Sequence, residues 1–482
     1  MFDNLLPAPD GAVLSGAALL LGAVCLASLV VWIRNRRAGT QSGREQIALS
    51  ATTERHPRAL YLLGLVQLWE RFAVFAALPL FVLYLEQHRG LSTEQALLLF
   101  GGLQALSYLS GLPGGMLADR WLGARRATVW GTVLLLLGYA ALSREHPAML
   151  WGGLALLIAG HGLFKPGLNA LAGSLYAPGD PRRERGFLRL HVLFNGGTVL
   201  APAVAEWARA RGGWSAVFLV ATAAMLASFL SYVFGSSMLR AAPRVARDPV
   251  ATADDALTQR ARIRACWLVA GVGVVFWLTA AQPATSLTLF AVQNTERKVQ
   301  IAGRVLTVAP GHFMSLHALL VLLLTGPLSA LLARGSQRGE ALSTPAKMIW
   351  GFLMTSAAFA LMALAGLRGG DASRVGMGWL AGCYVLLTLG ELLLAPMGLA
   401  LVTRLAPREL AGRLIAVWFA AVAVGNGLAG ALGLLWTRWP HPRYFALLAA
   451  LSLVAAVVLL GRLGRLERLL GAQRGRQEDG SR

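Results

Sequence analysis

Glu70 and Arg71 stand side by side in an apolar run, Leu60 to Leu85. That run is long enough to cross a membrane, since a spanning helix needs about 20 residues. Ionisable groups at such a depth are tolerated only where they face protein or a water-filled cavity. On a helix, Gln67, Glu70 and Arg71 share one face through spacings of three and four. Two interpretations follow: an ion pair that joins helices, or a site for protons or a substrate. The second is favoured, because ionisable residues inside membranes usually serve a function.

Two further ionisable residues, Lys165 and Glu391, interrupt later apolar runs. Lys165 directly precedes Pro166, and a proline removes a backbone hydrogen bond and opens the helix. With Glu70 and Arg71 the chain has two acids and two bases at membrane depth, and their charges balance. Protonation of one carboxylate would release a base, which is a physical route from proton binding to conformational change. A solute with both a carboxylate and an amine could replace the internal partners.

The composition indicates that helices embedded in a membrane hold these residues. Of 482 residues, 56% are hydrophobic and only 14% are charged, whereas a soluble domain has about 25% charged residues. The apolar runs are continuous, as transmembrane helices require, without the alternation of a β-barrel. The net charge of +21 comes mainly from Lys and Arg in short loops, so we predict no nucleic-acid partner. The three cysteines lie in or at apolar runs and predict neither a disulfide framework nor a metal site.

Twelve apolar segments follow one another between residues 59 and 461. The longest polar connection, residues 236–264, divides them into six and six and is predicted to be a cytoplasmic linker. We therefore predict one six-helix half at residues 59–235 and a second at residues 265–461.

The chain begins with an additional apolar run within residues 1–37, which ends in Arg34-Asn35-Arg36-Arg37. A secretory signal peptide would need basic residues before its apolar core, but Asp3 and Asp10 stand there. We predict an extra transmembrane helix, joined to the first main span by a cytoplasmic linker at residues 38–58.

The distribution of Lys and Arg predicts the orientation of the chain in the membrane. Most of the 44 basic residues fall on one side of the predicted spans, which is the cytoplasmic side by the positive-inside rule. The C-terminus is then cytoplasmic and the extreme N-terminus lies outside. The basic tail at residues 462–482 has amphipathic spacing; it could lie on anionic lipid or be simply solvated.

Several ordered motifs resemble those of one family. The motifs are Gln67–Phe75, Gly114–Arg126, Gly160–Pro166, Phe194–Pro202, Ser286–Arg297, Gly390–Pro396 and Val417–Phe419. The chain resembles the proton-dependent oligopeptide transporter (POT/PTR) family of the major facilitator superfamily over about Pro57 to Leu460. This resemblance implies an all-α major facilitator fold of two six-helix halves, to which the N-terminal run would add one helix.

The resemblance also implies roles for single residues. Glu70, Arg71 and Lys165 match positions implicated in proton coupling, and Arg71 and Lys165 match positions that bind the carboxylate end of a peptide. Glu391 matches the position that holds its amino end. The remaining substrate-binding candidates are Tyr108, Asn195, His317 and Trp418. Tyr108 and Asn195 could instead serve helix contacts, and Trp418 could be packing.

The cytoplasmic loop with Asp119, Arg120, Arg125 and Arg126 is predicted to act in gating. Its carboxylate could cap a neighbouring helix and pair with arginines, and such contacts would have to break when the transporter opens. The alternative is an ordinary charged turn.

The chain departs from the family pattern at several positions. Gln67 replaces the first motif glutamate, and Ala281 stands where the seventh span usually carries an acid. Val74 and Phe75 replace two tyrosines. His317 stands where relatives have asparagine, and this histidine could titrate or act as a hydrogen-bonding spacer. We expect Lys165 to pair with Glu70 instead of the missing seventh-span acid. A further arginine of many relatives is Leu78 here.

The predicted function is proton-coupled import of di- and tripeptides or peptide-like solutes, without a cofactor or metal, by a monomer in the inner membrane that contacts lipid. A transporter of the same fold with a non-peptide solute or weak coupling, such as a facilitator or exporter, is the alternative. A non-transporting receptor or scaffold is disfavoured, because it has no reason to keep intramembrane charges. An enzyme is disfavoured because no metal spacing or nucleophile–base set stands out.

Overall fold

The computed structural model describes residues 57–144, 146–175, 182–239, 256–301, 304–337, 342–369, 371, 373–406 and 410–470. The predicted N-terminal helix and nearly all of the linker after it lie outside these residues. Most of the linker at 236–264 and the tail beyond residue 470 lie outside them too.

The described residues are predominantly helical. The α-helices are α1 Arg58–Gln87, α2 Thr93–Leu109, α3 Gly111–Leu117, α4 Gly123–Leu142, α5 Pro147–Gly173, α6 Arg182–Gly235, α7 Ala256–Ala280, α8 Ser286–Gln293, α9 Gly311–Gln337, α10 Thr344–Gly369, α11 Met377–Leu405, α12 Ala411–Trp436 and α13 His441–Leu460. A π-helical turn, Ala118–Leu122, joins α3 to α4, and 3₁₀ turns occupy Ser236–Leu239 and Gln282–Ala284. Four short strands are β1 Thr295–Glu296, β2 Lys298–Ile301, β3 Arg304–Thr307 and β4 Val375–Gly376. β1 pairs with β4 in parallel, and β2 pairs with β3 as an antiparallel hairpin.

Within the described ranges, ten helical stretches are long and apolar enough to cross a membrane. Two of them, Thr93–Leu142 and Asn195–Leu239, have 50 and 45 residues, about twice what one crossing needs. Each is broken internally by a glycine with positive φ, Gly123 at 73° and Gly213 at 67°. The chain is therefore a multi-pass helical membrane protein. The count of twelve spans plus one remains a prediction.

The chain divides into two compact units. Unit 1 comprises Met1–Ala77 with Pro113–Asp248, and unit 2 comprises Leu78–Leu112 with Pro249–Arg482. The second span, α2, belongs to unit 2, where it packs against α12. A Cβ on Gly101 would lie only 2.7 Å from Cα of Gly430, so these two helices meet backbone to backbone. The predicted boundaries of the halves remain a prediction.

In unit 1, glycines let α5 lie directly against α4. A Cβ on Gly131 would be 2.5 Å from the backbone nitrogen of Phe164, and one on Gly160 would be 2.8 Å from the Leu135 side chain. Small residues at helix contacts are the usual means of close packing in membranes. Helix α1 is tied to α6, because Ser228 Oγ donates a 2.9 Å hydrogen bond to the Val66 carbonyl. These contacts fix the rotation of α1 and α5, which carry the candidate charges.

In unit 2, an apolar core joins α7, α10, α11, α12 and α13 to residues at the start of the tail. Leu466 is 2% exposed and Leu470 is 8% exposed. Ser343 Oγ also donates a 2.5 Å hydrogen bond to Glu467. The described start of the tail thus packs on unit 2, and the lipid-bound and solvated alternatives remain predictions for the rest.

The seventh span is broken between α7 and α8, and Gln282 at the break is hydrogen-bonded within the protein. Gln282 is fully buried, and its Oε1 accepts hydrogen bonds from Ser286 Oγ at 2.6 Å and Tyr444 Oη at 2.9 Å. Irregular backbone at membrane depth is tolerated only when it is enclosed by protein in this way.

Candidate functional site

The buried carboxylate of Glu70 is the centre of a polar cluster in unit 1. Glu70 is fully buried, and Arg71 donates a hydrogen bond to each of its carboxylate oxygens. Arg71 Nε donates to Oε2 at 2.8 Å, and Nη2 donates to Oε1 at 3.2 Å. Two parallel charge-assisted bonds are the strong form of this pair. The two residues predicted to provide the intramembrane charge of α1 therefore form an ion pair with each other.

Helix α5 contributes a histidine and a lysine to the same cluster. His161 and Lys165 are four residues apart and so lie on one face of the helix. His161 Nδ1 lies 3.6 Å from Glu70 Oε1, which is beyond hydrogen-bond distance. Lys165 interacts electrostatically with both Glu70 and Arg71. Lys165 is thus close enough to interact with the charge of Glu70. A direct Lys165–Glu70 ion pair remains a prediction.

Helix α4 closes the cluster with Tyr139, which is buried and interacts electrostatically with Glu70 and Arg71. One anion therefore lies among two cations, an imidazole and a phenol. This set can bind a proton at Glu70 or His161 and an anionic group at Arg71 and Lys165.

Asn195 belongs to unit 1 as well, on α6. Its carbonyl accepts a hydrogen bond from Thr198 Oγ1 at 2.7 Å, and its side chain is half-buried. Two residues further, a Cβ on Gly197 would overlap the Leu68 carbonyl, so α6 meets α1 closely here. The role of Asn195 in substrate binding or in helix contacts remains open.

The predicted gating residues lie at the surface of unit 1. Asp119 and Arg120 are exposed in the π-helical turn, and Arg125 and Arg126 are exposed at the start of α4. Arg125 Nη2 donates to the Leu239 carbonyl, and Tyr232 Oη donates to the Arg125 carbonyl at 3.3 Å. In the part of the chain that the structure describes, Asp119 makes no ion pair with these arginines. The gating role stays a prediction.

A second acid–histidine pair lies in unit 2. His317 Nε2 on α9 is 3.0 Å from Glu391 Oε2 on α11, but an Nε2–H would not point at that oxygen. The contact is therefore an ion-pair contact without hydrogen-bond alignment. The side chain of Glu391 is 38% exposed, and that of His317 is 12% exposed. The ring of Tyr384 lies beside the imidazole, with centroids 5.8 Å apart.

This pair lines a small cleft in unit 2. The cleft is lined by Phe276, Thr279, Ala280, Pro283, His317, Thr355, Leu387 and Glu391. The Thr279 and Thr355 hydroxyls donate to carbonyls of their own helices. An exposed carboxylate in such a mostly apolar cleft is suited to a cationic amine.

The two aromatic candidates of unit 2 differ in exposure. Tyr108 is half-buried, with its ring 6.1 Å from that of Trp277. Trp418 is 2% exposed, and a Cβ on Gly398 would overlap its indole ring. Trp418 therefore packs into the core of unit 2, and its role toward a substrate stays a prediction.

The sequence interpretation missed His161. It lies within the motif Gly160–Pro166, and its spacing of four from Lys165 places both side chains on one face of α5. That spacing was the available signal.

Known peptide transporters are similar to this chain in sequence and in fold. The peptide transporter YePEPT of Yersinia enterocolitica is 29% identical over 461 residues, which cover 78% of this chain and 88% of that protein. Dipeptide and tripeptide permease A of Escherichia coli K12 is 27% identical over 439 residues, covering 81% and 86%. The crystal structure of peptide transporter POT in complex with sulfate superposes with a TM-score of 0.78 at 25% identity, covering 86% and 96%.

The fold and the polar clusters within its helices thus define a transporter of the major facilitator fold. The POT family (PTR2) matches residues 125–258 and 251–444, and the chain belongs to this family. Because this is a family of transporters, the protein is a transporter and not an enzyme.

Proposed function

We propose that this protein imports di- and tripeptides or peptide-like solutes together with protons, by alternating access. The relatives named as peptide transporters and as dipeptide and tripeptide permeases support the substrate class. The observation that carries the proposal is the fully buried Glu70, held by Arg71 with His161 and Lys165 nearby. When a buried carboxylate takes up a proton, it loses its charge and releases the cation bound to it. Such an exchange couples proton binding directly to a conformational change.

In this mechanism, Glu70, Arg71 and Lys165 couple protons to substrate. Protonation of Glu70 removes the charge that holds Arg71, so that Arg71 and Lys165 can bind the carboxylate end of a solute. Glu391, with His317 at its side, binds the amino group from the cleft of unit 2. Protons are the coupling ion, and the mechanism requires no cofactor.

Tyr108, Asn195 and Trp418 are assigned supporting roles around the solute. Trp418 acts through the core that positions α11 and α12, since its ring is buried. We further propose that the protein is a monomer in the inner membrane, with a cytoplasmic C-terminus.

A second function is supported by two departures from the family pattern. Gln67 and Ala281 stand where relatives carry acids, so part of the usual proton network is replaced by neutral groups. A transporter of the same fold with a non-peptide solute, or with weak proton coupling, would fit this loss.

Uptake of labelled dialanine into proteoliposomes, with and without an inward proton gradient, tests the proposal. Wild type should accumulate peptide only with the gradient. Glu70→Gln should lose accumulation but keep part of peptide counterflow, because the carboxylate is needed for coupling rather than for the pathway. Equal initial rates with and without the gradient would favour the weakly coupled alternative, and no peptide uptake would favour another solute.

A further inference from the structure

His161 is a buried titratable residue of unit 1 to which the proposed mechanism assigns no step. Its Nδ1 is buried and has no hydrogen-bond partner among the described residues. Buried polar atoms in native proteins are almost always hydrogen-bonded, so an exception needs an explanation. On the neighbouring helix α1, Glu70 Oε1 lies 3.6 Å from Nδ1 of His161.

The two oxygens of Glu70 are held unequally. Arg71 bonds Oε2 at 2.8 Å but Oε1 at the longer distance of 3.2 Å. The oxygen that Arg71 holds less closely is the one that faces His161. A proton that arrives at Glu70 would therefore displace the weaker contact and occupy Oε1.

The charged and titratable groups around His161 come from three helices. Helix α1 contributes Glu70 and Arg71, α5 contributes Lys165, and α4 contributes Tyr139, which interacts with Glu70 and Arg71. Helix α3 contributes no titratable group. Glu70 is thus the acid of this cluster, and the imidazole of His161 lies beside it.

The backbone at His161 is held from two sides. A Cβ on Gly160 would lie 2.8 Å from the Leu135 side chain on α4, and a Cβ on Gly114 of α3 would overlap the Gly162 carbonyl. Because α5 is held in place, rotation of the His161 and Glu70 side chains would bring Nδ1 and Oε1 to a hydrogen-bond distance of about 3 Å.

We infer that His161 and Glu70 together form the proton-binding site of unit 1, with one proton shared between Nδ1 and Oε1. The proton comes from water and none is released in the step. Either Glu70 O–H donates to Nδ1, or protonated His161 donates to the carboxylate. In the first form Glu70 loses the charge that Nη2 of Arg71 binds, and in the second the imidazolium shares that charge with Arg71. His161 thereby supplies a titratable group in a cluster where Gln67 cannot. The inference rests on the proposed proton coupling.

Infrared difference spectra of the full-length protein in lipid, recorded between acidic and neutral pH, test this inference without any substrate. The band of a protonated carboxyl that disappears in Glu70→Gln belongs to Glu70. In His161→Asn we expect the proton affinity of Glu70 to fall about tenfold, a shift of about one pH unit in the midpoint, because a hydrogen bond to the bound proton is lost. His312→Asn, the same change at an exposed histidine, is the matched control and should leave the midpoint unchanged.

An unchanged midpoint in folded His161→Asn and His161→Gln would overturn the inference. Wild-type protein with isotope-labelled histidine gives a second measurement that does not depend on a variant. A histidine band should change with the same midpoint as the Glu70 band, and separate midpoints would also overturn it. If wild type transports no peptide but the bands behave as expected, the proposed function fails and the inference stands.

Discussion

The two units each pair a carboxylate with a histidine, but they place the pair in different surroundings. In unit 1, Glu70 is fully buried and held by the permanently charged Arg71. In unit 2, Glu391 is 38% exposed to a cleft, and His317, which contacts it, can lose its charge. The same chemical groups are therefore suited to different tasks. The buried pair of unit 1, Glu70 with His161, is called the dry pair; it suits proton coupling, because a change of charge away from water has a large energetic effect. The partly exposed pair of unit 2, Glu391 with His317, is called the open pair; it suits ligand binding, because a solute can reach it.

The largest predicted effect comes from removing the permanent cation of unit 1. Arg71→Met should lower the free energy of unfolding by about 3–5 kcal/mol, because it leaves a buried charge without its main partner. The double variant Glu70→Gln/Arg71→Met should recover most of this loss. Equilibrium unfolding in mixed detergent micelles measures both.

Glu391→Gln is the matching variant in unit 2. Because this carboxylate is partly exposed, its loss should change the unfolding free energy by less than about 1 kcal/mol. If Glu391→Gln destabilised the protein as much as Arg71→Met does, the distinction between a dry and an open pair would be wrong.

The sequence predicts the geometry of a site well when one helix determines it, and poorly when several helices do. Spacing along α1 and α5 was enough to place Glu70, Arg71 and Lys165 on polar faces, because helical periodicity is local. The position of His161 opposite Glu70 depends on how α5 lies beside α1, and α5 is itself held against α4 at Gly131 and Gly160. That contact lies between helices and has no signal in either segment alone.

The family resemblance predicted the fold and the family, and both are confirmed. The contact between His317 on α9 and Glu391 on α11 depends on how these two helices pack. Resemblance could not predict that Trp418 is buried, because its exposure depends on Gly273 and Gly398, which face its ring. Likewise, the packing of Leu466 on unit 2 follows from a core built by several distant helices.

An intermediate effect is expected from glycines that position each pair. Gly131→Ala should cost about 1–3 kcal/mol of stability, since its new Cβ would meet the backbone of Phe164 at 2.5 Å. It should also change the infrared band of Glu70, because α5 carries His161. Gly390→Ala, whose Cβ would meet Thr355 Oγ1 at 2.5 Å, should instead weaken amine binding next to Glu391.

Gly152→Ala on α5 is the control for both, because a Cβ there meets nothing within 4 Å. It should stabilise the helix by up to about 1 kcal/mol. If Gly131→Ala weakened amine binding and left the Glu70 band unchanged, the separate tasks assigned to the two units would be contradicted.

The last prediction concerns ligand affinity at His317, and the sign of its pH dependence distinguishes the two carboxylate–histidine pairs. A protonated His317 would compete with the ammonium group of a solute for Glu391, so acidification should weaken amine binding. His317→Asn removes this competitor. It should bind dialanine almost equally at acidic and at neutral pH, while wild type should lose affinity by up to about tenfold on acidification, or about 1.4 kcal/mol.

Calorimetric titration of purified protein with dialanine measures this dependence, and N-acetyl-dialanine, which lacks the ammonium group, is the matched control ligand. Its binding should not depend on His317 at any pH. His161→Asn should leave the pH dependence of dialanine binding to Glu391 in place, because the competing imidazole is still present. If His317→Asn kept the full pH dependence and His161→Asn removed it, the tasks of the two histidines would have to be exchanged. Proton coupling would then lie at the open pair, where a proton and an ammonium group exclude each other, which favours exchange of the two across the membrane rather than their joint import.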